Sequence, residues 1–527
     1  MRRALRRIAR SMNLHGDFNI SFTNCGALGC DPWPVIPNEN GVLPSWSFPG
    51  HDLVRNSALS RTFVRNFSTL ATKEPPEPQG IPFFGTMLSL IMEGGAQKLH
   101  EYVDKRHREL GPVFRDYIGP LRAVFVNSPD EYRKIFLQLE GPMPQHFLPE
   151  AWKLYNEIRK QHRGLLFMDG DEWLHFRKIL NKAMLGSNPE KYMCAPCQEA
   201  AENLVKKWKN YSRTGCTIPE LQHQLYQWSI EVMLATLMGS RWRDCEQQMR
   251  SDIESVALML HQIFMYSATL SMMPAKLAMR LKLPVWTKFV KTVDIILDKV
   301  RNLVPEMIQM NSDGLLQMLM NDGICDENII RVVADFIIAA GDTTSVTMQW
   351  ALLLLSNYPE LQDQLFHDVK NLLPKEILQH QLLRNTWRET LRLYPIAPFL
   401  TRYLPMDVII GGYLVPKGNL ILLSLYSSGR DENNFPNPNK FWPERWTRLK
   451  KGQYQGVINP HASLPFAIGV RSCIGRRLAE TQMSLALAEL IKNFKIKCEN
   501  QNNIEMILHL ISVPSQPVKL KLIDRGT

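Results

Sequence analysis

The tightest constraint on this chain lies near its C-terminus, where residues 465 to 477 read PFAIGVRSCIGRR. Phe466, Gly469, Arg471, Cys473 and Gly475 form the pattern FxxGxRxCxG. Average residue usage yields five such residues at fixed spacing, in a chain of this length, on the order of once in 10^4. The two glycines let backbone turn sharply and approach a flat ligand. N–H groups at the start of a following helix favour a thiolate at Cys473. Arg471 offers a cation to a carboxylate on that ligand. The plainer reading is a buried, inert cysteine ahead of a helix, and it leaves the four companions unexplained.

The rest of the chain must build a scaffold for this loop. Apolar positions at three- and four-residue spacing predict helices near 95–110, 129–139, 171–186, 196–210, 218–240, 248–272, 284–311, 326–356, 359–371, 381–393 and 473–493. Strand-like runs are short: 113–117, 123–127, 408–410, 420–423, 506–510 and 518–522. The expected fold class is mainly α with small peripheral β-sheets. Residues 74–85 read EPPEPQGIPFFG, in which proline and glycine forbid helix. The expected organisation is a leader over 1–67, a Pro-rich hinge over 68–85 and one large domain over 86–527. Apolar residues make up 45% and charged residues 21%, which excludes a largely disordered or collagen-like chain. No apolar run approaches the roughly 18–20 residues needed to span a bilayer. The nine cysteines are too scattered for a disulfide framework. Cys194 and Cys197 have CxxC spacing without the second pair or histidines of a metal site.

Residues 1–73 hold nine Lys and Arg against four Asp and Glu, so five of the eleven net positive charges fall in this short segment. Arg2, Arg3, Arg6, Arg7 and Arg10 alternate with Leu5, Ile8 and Met12, with no acid among the first sixteen residues. Such an N-terminus resembles a mitochondrial transit peptide. A basic tail that binds anything anionic is the other reading. Residues 61–70, RTFVRNFSTL, resemble a matrix-processing site with cleavage after Phe67. Residues 13–54, with their prolines, Cys25 and Cys30, are unusual for a transit peptide.

Four further constellations bear on the site. Trp173 and Arg177 lie four apart on one helix face; alone, such a pair is more often a surface stacking pair. Glu389 and Arg392 form an ExxR, which alone is a common solvated pair, and Arg445 follows in PERW. Arg402 comes after Tyr394-Pro395 and Pro398, and a surface arginine is the alternative. Asp342, Thr343, Thr344 and Ser345 interrupt the apolar run 331–356. Polar residues there are costly unless hydrogen-bonded or used, and a helix end with threonine as N-cap is the alternative.

In this order, over residues 80–523, these motifs resemble the cytochrome P450 family. The resemblance implies a P450 fold and haem b, with Cys473 as the axial thiolate to iron. It implies Trp173, Arg177, Arg402, Arg471 and Phe466 as cofactor contacts, and Glu389, Arg392 and Arg445 as a structural network. Thr343 would hydrogen-bond the dioxygen being reduced and Asp342 would relay protons. Ala340 stands where the family often has a second glycine. The chain is most similar to mitochondrial P450s, which implies electrons from a [2Fe–2S] ferredoxin fed by an NADPH–ferredoxin reductase. Arg384, Arg388, Arg476 and Arg477 would form the basic docking patch; a solvated basic face is the alternative. The resemblance further implies an apolar steroid substrate, O2, and peripheral association with the matrix side of the inner mitochondrial membrane. The Met-rich stretch Leu258–Lys282 reads as adaptable core or as an access channel touching that membrane. Residues 130–156, 164–177 and 459–477 resemble arthropod ecdysteroid C2-hydroxylases, with C22 hydroxylation the nearest alternative. Other classes are a haem-thiolate isomerase or dehydratase and a non-catalytic sterol-binding haem protein; the Asp342–Thr343 pair argues for O2 activation instead. Nucleic acid drops out, because no nucleic-acid motif accompanies the charge.

Overall fold

Helices that are apolar on nearly every face belong in a core, and two of them form the centre of this fold. In the computed structural model, which describes residues 73–526 apart from 163, 187–189 and 311, these are α3 (Leu221–Met238) and α6 (Asp326–Ser356). In chain order the helices used below are α1 (Gly170–Leu185), α2 (Glu190–Thr214), α3, α4 (Trp242–Ser271), α5 (Pro284–Gln309), α6, α7 (Gln381–Leu393) and α8 (Arg476–Asn493). Helix α6 packs on α3, α5, α7 and α8, and α8 packs on α2. Helices α4 and α5 lie together as an outer pair. Both α6 and α7 span the predicted ranges. Helix α6 is continuous through Thr343, so the helix-end reading of that segment fails.

The sheets are small and peripheral, as expected. Strands β1 (Val113–Ile118), β2 (Leu121–Val126), β3 (Phe399–Tyr403) and β4 (Leu420–Ser424) form one sheet in the order β1-β2-β4-β3. β1 and β2 are antiparallel, Val113 opposite Val126; β2 and β4 are parallel, Ala123 opposite Leu420; β3 and β4 are antiparallel, Phe399 opposite Ser424. Two-stranded pairs join 408–410 with 413–415, 494–498 with 520–524, and 506–509 with 511–514. Strand β3 was not predicted, because its five residues sit among prolines without a clear alternation. The predicted helix 129–139 is α-helical only over Pro129–Lys134 and continues as a π-helical turn over Ile135–Leu139.

Residues 71–527 form one compact unit. The expected leader, the site after Phe67 and the 13–54 stretch lie outside the described residues. The described part of the expected hinge, residues 73–85, lies as a strap on the body. Arg115 N donates to Pro76 O, Leu414 N to Lys73 O, and Thr86 N to Tyr117 O. Arg115 also pairs with Glu74 and Glu77. Both acids are well exposed, so each pair is worth about 0–1 kcal/mol. The backbone bonds therefore fix the strap. Replacing Glu74 and Glu77 together by glutamine should lower stability by no more than about 2 kcal/mol in urea unfolding; a loss well beyond that would assign the strap to its charges.

Candidate active site

The Cys473 loop is held by its own backbone. Cys473 N donates to Phe466 O at 2.8 Å and Ser472 N to Gly469 O at 3.2 Å. Gly469 takes φ +83°, and Ala467 is also left-handed at +55°. The loop runs into α8, with Gly475 at the helix N-cap. Phe466 meets Trp387 edge-on at 6.2 Å, and the Arg476 guanidinium lies over its ring. Burial pushes the Cys473 thiol up, against the Gly475 N–H and the Arg177 and Arg476 charges. The helix start therefore does not by itself secure a thiolate, as the sequence reading expected; a bound metal ion does so outright.

Cys473 has exposed surface although surrounding protein dominates its titration. Ala339, in the middle of α6 just after buried Ile338, is likewise exposed.

Three guanidiniums stand at one end of the site. Arg177 on α1 donates through Nη2 to Ser472 O at 2.7 Å. Arg471 lies 4.4 Å over the Trp173 ring and donates through Nη2 to Met168 O and Asp169 Oδ1, both at 2.6 Å. Its Nη1 donates to His146 Nδ1 at 2.9 Å. Burial and the Arg471 charge hold His146 neutral, its pKa down to about 3, so it can accept that bond. Burial and the nearby Arg402 and Arg177 charges bring Arg471 down to about 10. Arg402 on β3 donates through Nε to Glu140 Oε2 at 2.6 Å. Arg177 Nε, Arg402 Nη2 and Arg471 Nε are buried without a hydrogen-bond partner. An unmet buried donor costs about 1–3 kcal/mol, more when charged. A flat ligand carrying carboxylates beside Cys473 supplies the acceptors these residues want. Sequence reading missed Glu140 and His146, which lie in no recognisable local motif.

Behind the loop, Glu389 is fully buried. Arg392 donates to it through Nε and Nη2 at 2.9 and 2.8 Å, Arg445 through Nε at 2.8 Å, and Trp446 through Nε1 at 2.9 Å. The two arginines spend their other N–H groups on carbonyls: Arg392 on Gly429, Pro438 and Lys440, Arg445 on Pro436, Asn437, Lys440 and Gly456. The network ties down loop 429–456.

On α6, Thr343 Oγ1 donates to Ala339 O at 2.8 Å, Ser345 to Asp342 O, and Thr347 to Thr343 O. Ser229 on α3 donates to Ala340 O at 2.8 Å. Gln482 on α8 donates to Thr344 Oγ1 at 3.0 Å, joining α6 to the helix that follows Cys473. Asp342 is buried with neither carboxylate oxygen partnered, and burial pushes its carboxyl well up. Burial therefore favours its neutral, protonated form.

Arg384, Arg476 and Arg477 are exposed. Arg476 pairs with Glu480, and Arg477 donates to Gly186 O. Arg388 differs from its expected role on an open face: it is half-buried and its guanidinium stacks 3.9 Å over Trp446. Among the described residues no group of three or more histidine, cysteine and acidic side chains could hold a metal ion.

The family model for cytochrome P450 matches residues 75–522. The chain belongs to the cytochrome P450 family. It is 37% identical over 471 residues to the Drosophila melanogaster protein named cytochrome P450 315a1, mitochondrial, covering 85% of this chain and 88% of that one. The mitochondrial 1,25-dihydroxyvitamin D(3) 24-hydroxylase of Rattus norvegicus is 29% identical, over 87% and 89% of the two chains. The mitochondrial cholesterol side-chain cleavage enzyme of Oncorhynchus mykiss is 28% identical, over 81% and 86%. This P450 is a monooxygenase whose cofactor is haem, with iron bound by a cysteine thiolate. The orphaned arginine donors and the exposed Cys473 fit that group.

Two outcomes follow. Glu389→Ala strands two buried guanidiniums and should cost about 3–5 kcal/mol, read as the shift of the urea midpoint; a loss under 1 kcal/mol would mean the arginines rely on carbonyls alone. The raised carboxyl of Asp342 binds its proton more tightly folded than unfolded, so its contribution falls as pH rises above the ordinary aspartate value of 3.8. Asp342→Asn should therefore gain stability relative to the native protein as pH rises above the ordinary aspartate value of 3.8; a pH-independent difference would contradict a carboxyl whose neutral form burial favours.

Proposed function

We propose that this P450 is a mitochondrial steroid hydroxylase that adds the C2 hydroxyl to an ecdysteroid, converting 2-deoxyecdysone to ecdysone with electrons from a [2Fe–2S] ferredoxin. The observation that carries the reading is the 37% identity, across nearly the whole body, to a P450 named as mitochondrial. Other relatives are named as acting on cholesterol, a sterol or a vitamin D derivative, all with apolar ring systems. The C2 assignment draws on the likeness of residues 130–156, 164–177 and 459–477 to the arthropod enzyme called Shadow. C22 hydroxylation is the second reading, because a few pocket side chains decide which C–H faces the iron.

When bound, haem supplies dioxygen activation at a thiolate-ligated iron; Cys473 is the ligand in this reading. Trp173, Arg177, Arg402 and Arg471 orient it through its carboxylates. Thr343, whose hydroxyl donates to Ala339 O, would supply a hydrogen-bonding hydroxyl for dioxygen, and Asp342, its neutral form favoured by burial, would hold a proton one residue away. The buried surroundings of α6 limit stray water. Exposed Arg384, Arg476 and Arg477 receive an acidic ferredoxin beside the thiolate loop; Arg388 stiffens that face through Trp446.

The substrate enters from a lipid surface. Phe83, Phe84, Leu88, Ile91 and Met92 are exposed near the strap, as are Leu258, Met265, Leu277 and Leu281 in the Met-rich stretch. In this reading the association is peripheral, on the matrix side of the inner membrane; among the described residues no helix is long and apolar enough to cross a membrane.

A panel of deoxyecdysteroids incubated with ferredoxin, its reductase and NADPH should give 2-hydroxylated products; 22-hydroxylation would move the assignment, and product without ferredoxin would point to an isomerase. Thr343→Ala should keep oxidising NADPH while product per NADPH falls several-fold. Unchanged coupling would remove Thr343 from proton delivery.

A further inference from the structure

We infer that Glu140 is a positioning residue: its buried carboxylate holds Arg402 against the Cys473 loop and sets the charge at the carboxylate-binding end of the haem site. The inference rests on the haem-thiolate reading above.

The local fold brings Glu140 there. The helix capped by Ser128 starts as an α-helix and widens into the π turn Ile135–Leu139. Glu140 N closes that turn on Ile135 O at 3.0 Å, a bond five residues back. Such turns insert one residue and redirect the side chains after it, often at functional sites. Glu140 ends up 4% exposed.

Its two oxygens do different things. Oε2 accepts from Arg402 Nε at 2.6 Å, while the Arg402 guanidinium lies 4.6 Å over the Phe136 ring. Oε1 makes no hydrogen bond of regular geometry and faces Gly469, while the Val470 backbone N–H in the same loop favours the charged carboxylate. A Cβ on Gly469 would stand 2.5 Å from Oε1 and 2.6 Å from Phe136 O, at a left-handed φ. The Cys473 loop thus presses backbone-first onto this carboxylate, four residues before the thiol.

A pair built only for stability would close both oxygens on both nitrogens, and a buried ion pair is weak evidence for stability in any case. This one is single-toothed. Arg402 keeps Nη2 free while its Nε is pinned, and Nη1 is spent on Thr401 O. Glu140 therefore fixes the guanidinium plane and leaves one donor for the cofactor. It also balances charge. Arg177, Arg402 and Arg471 present three positive charges, and Asp169, which pairs with Arg471, is half-exposed and screened. Glu140 is the buried anion of the set, and a buried negative charge opposes adding an electron to ferric haem.

The test compares Glu140→Gln and Glu140→Ala with the native haem-loaded full chain. Glutamine still accepts from Arg402 but removes the charge, so haem should be retained and its reduction potential should shift positive. Alanine frees Arg402 and the loop, so haem transfer to apomyoglobin should speed up by about tenfold. A potential unchanged in Glu140→Gln, or haem transfer from Glu140→Ala at the native rate, would overturn the inference. A native protein without the thiolate-type ferrous–CO spectrum would instead overturn the haem-thiolate reading, which separates the two failures.

Discussion

The Glu389 carboxylate has no contact with solvent and holds two guanidiniums and an indole N–H. Taking such charges out of water costs several kcal/mol per ion before their attraction returns any of it. The arrangement persists because every group is used: both carboxylate oxygens are shared, and the remaining arginine donors collect carbonyls from a long irregular loop. That loop has little regular structure to order it. The ion network does the work that a sheet or helix does elsewhere, and it sets the rear wall against which the thiolate loop and α8 are built.

The front of the site follows the opposite rule. Arg177, Arg402 and Arg471 are each anchored by some of their N–H groups and keep one buried and unanswered. The same residue type thus serves two ends. Behind the loop the arginines are saturated and structural; in front they are left partly unmet, which is a fold prepared for an acidic ligand. The contrast comes from anchoring, not from burial, since both sets are buried.

Much of this was legible in the sequence. The FxxGxRxCxG loop, the ExxR with PERW, and the polar break in an apolar helix each depend on spacing along the chain. The long helices were legible because their apolar faces recur at helical period; α6 and α7 match to the residue. What escaped depends on contacts between distant segments. Strand β3 is five residues among prolines, and it exists because β4 pairs with it. The π turn ahead of Glu140 has no pattern of its own, and Glu140 gains meaning only from Arg402, 262 residues away. Arg388 looked like a surface cation because its spacing from Arg384 fits one helix face, while the indole that takes it comes from another segment. At Cys473 the helix-start argument was correct in sign, but burial outweighs it.

The central claim is that Cys473, in this cradle, carries haem iron as a thiolate. The most direct measurement is the absorption spectrum of the haem-loaded chain after reduction under carbon monoxide. The account predicts the strongly red-shifted Soret band of a thiolate-ligated ferrous–CO complex, lost in Cys473→Ser. A band at the unshifted position typical of imidazole ligation, or a red-shifted band that survives in Cys473→Ser, would contradict it.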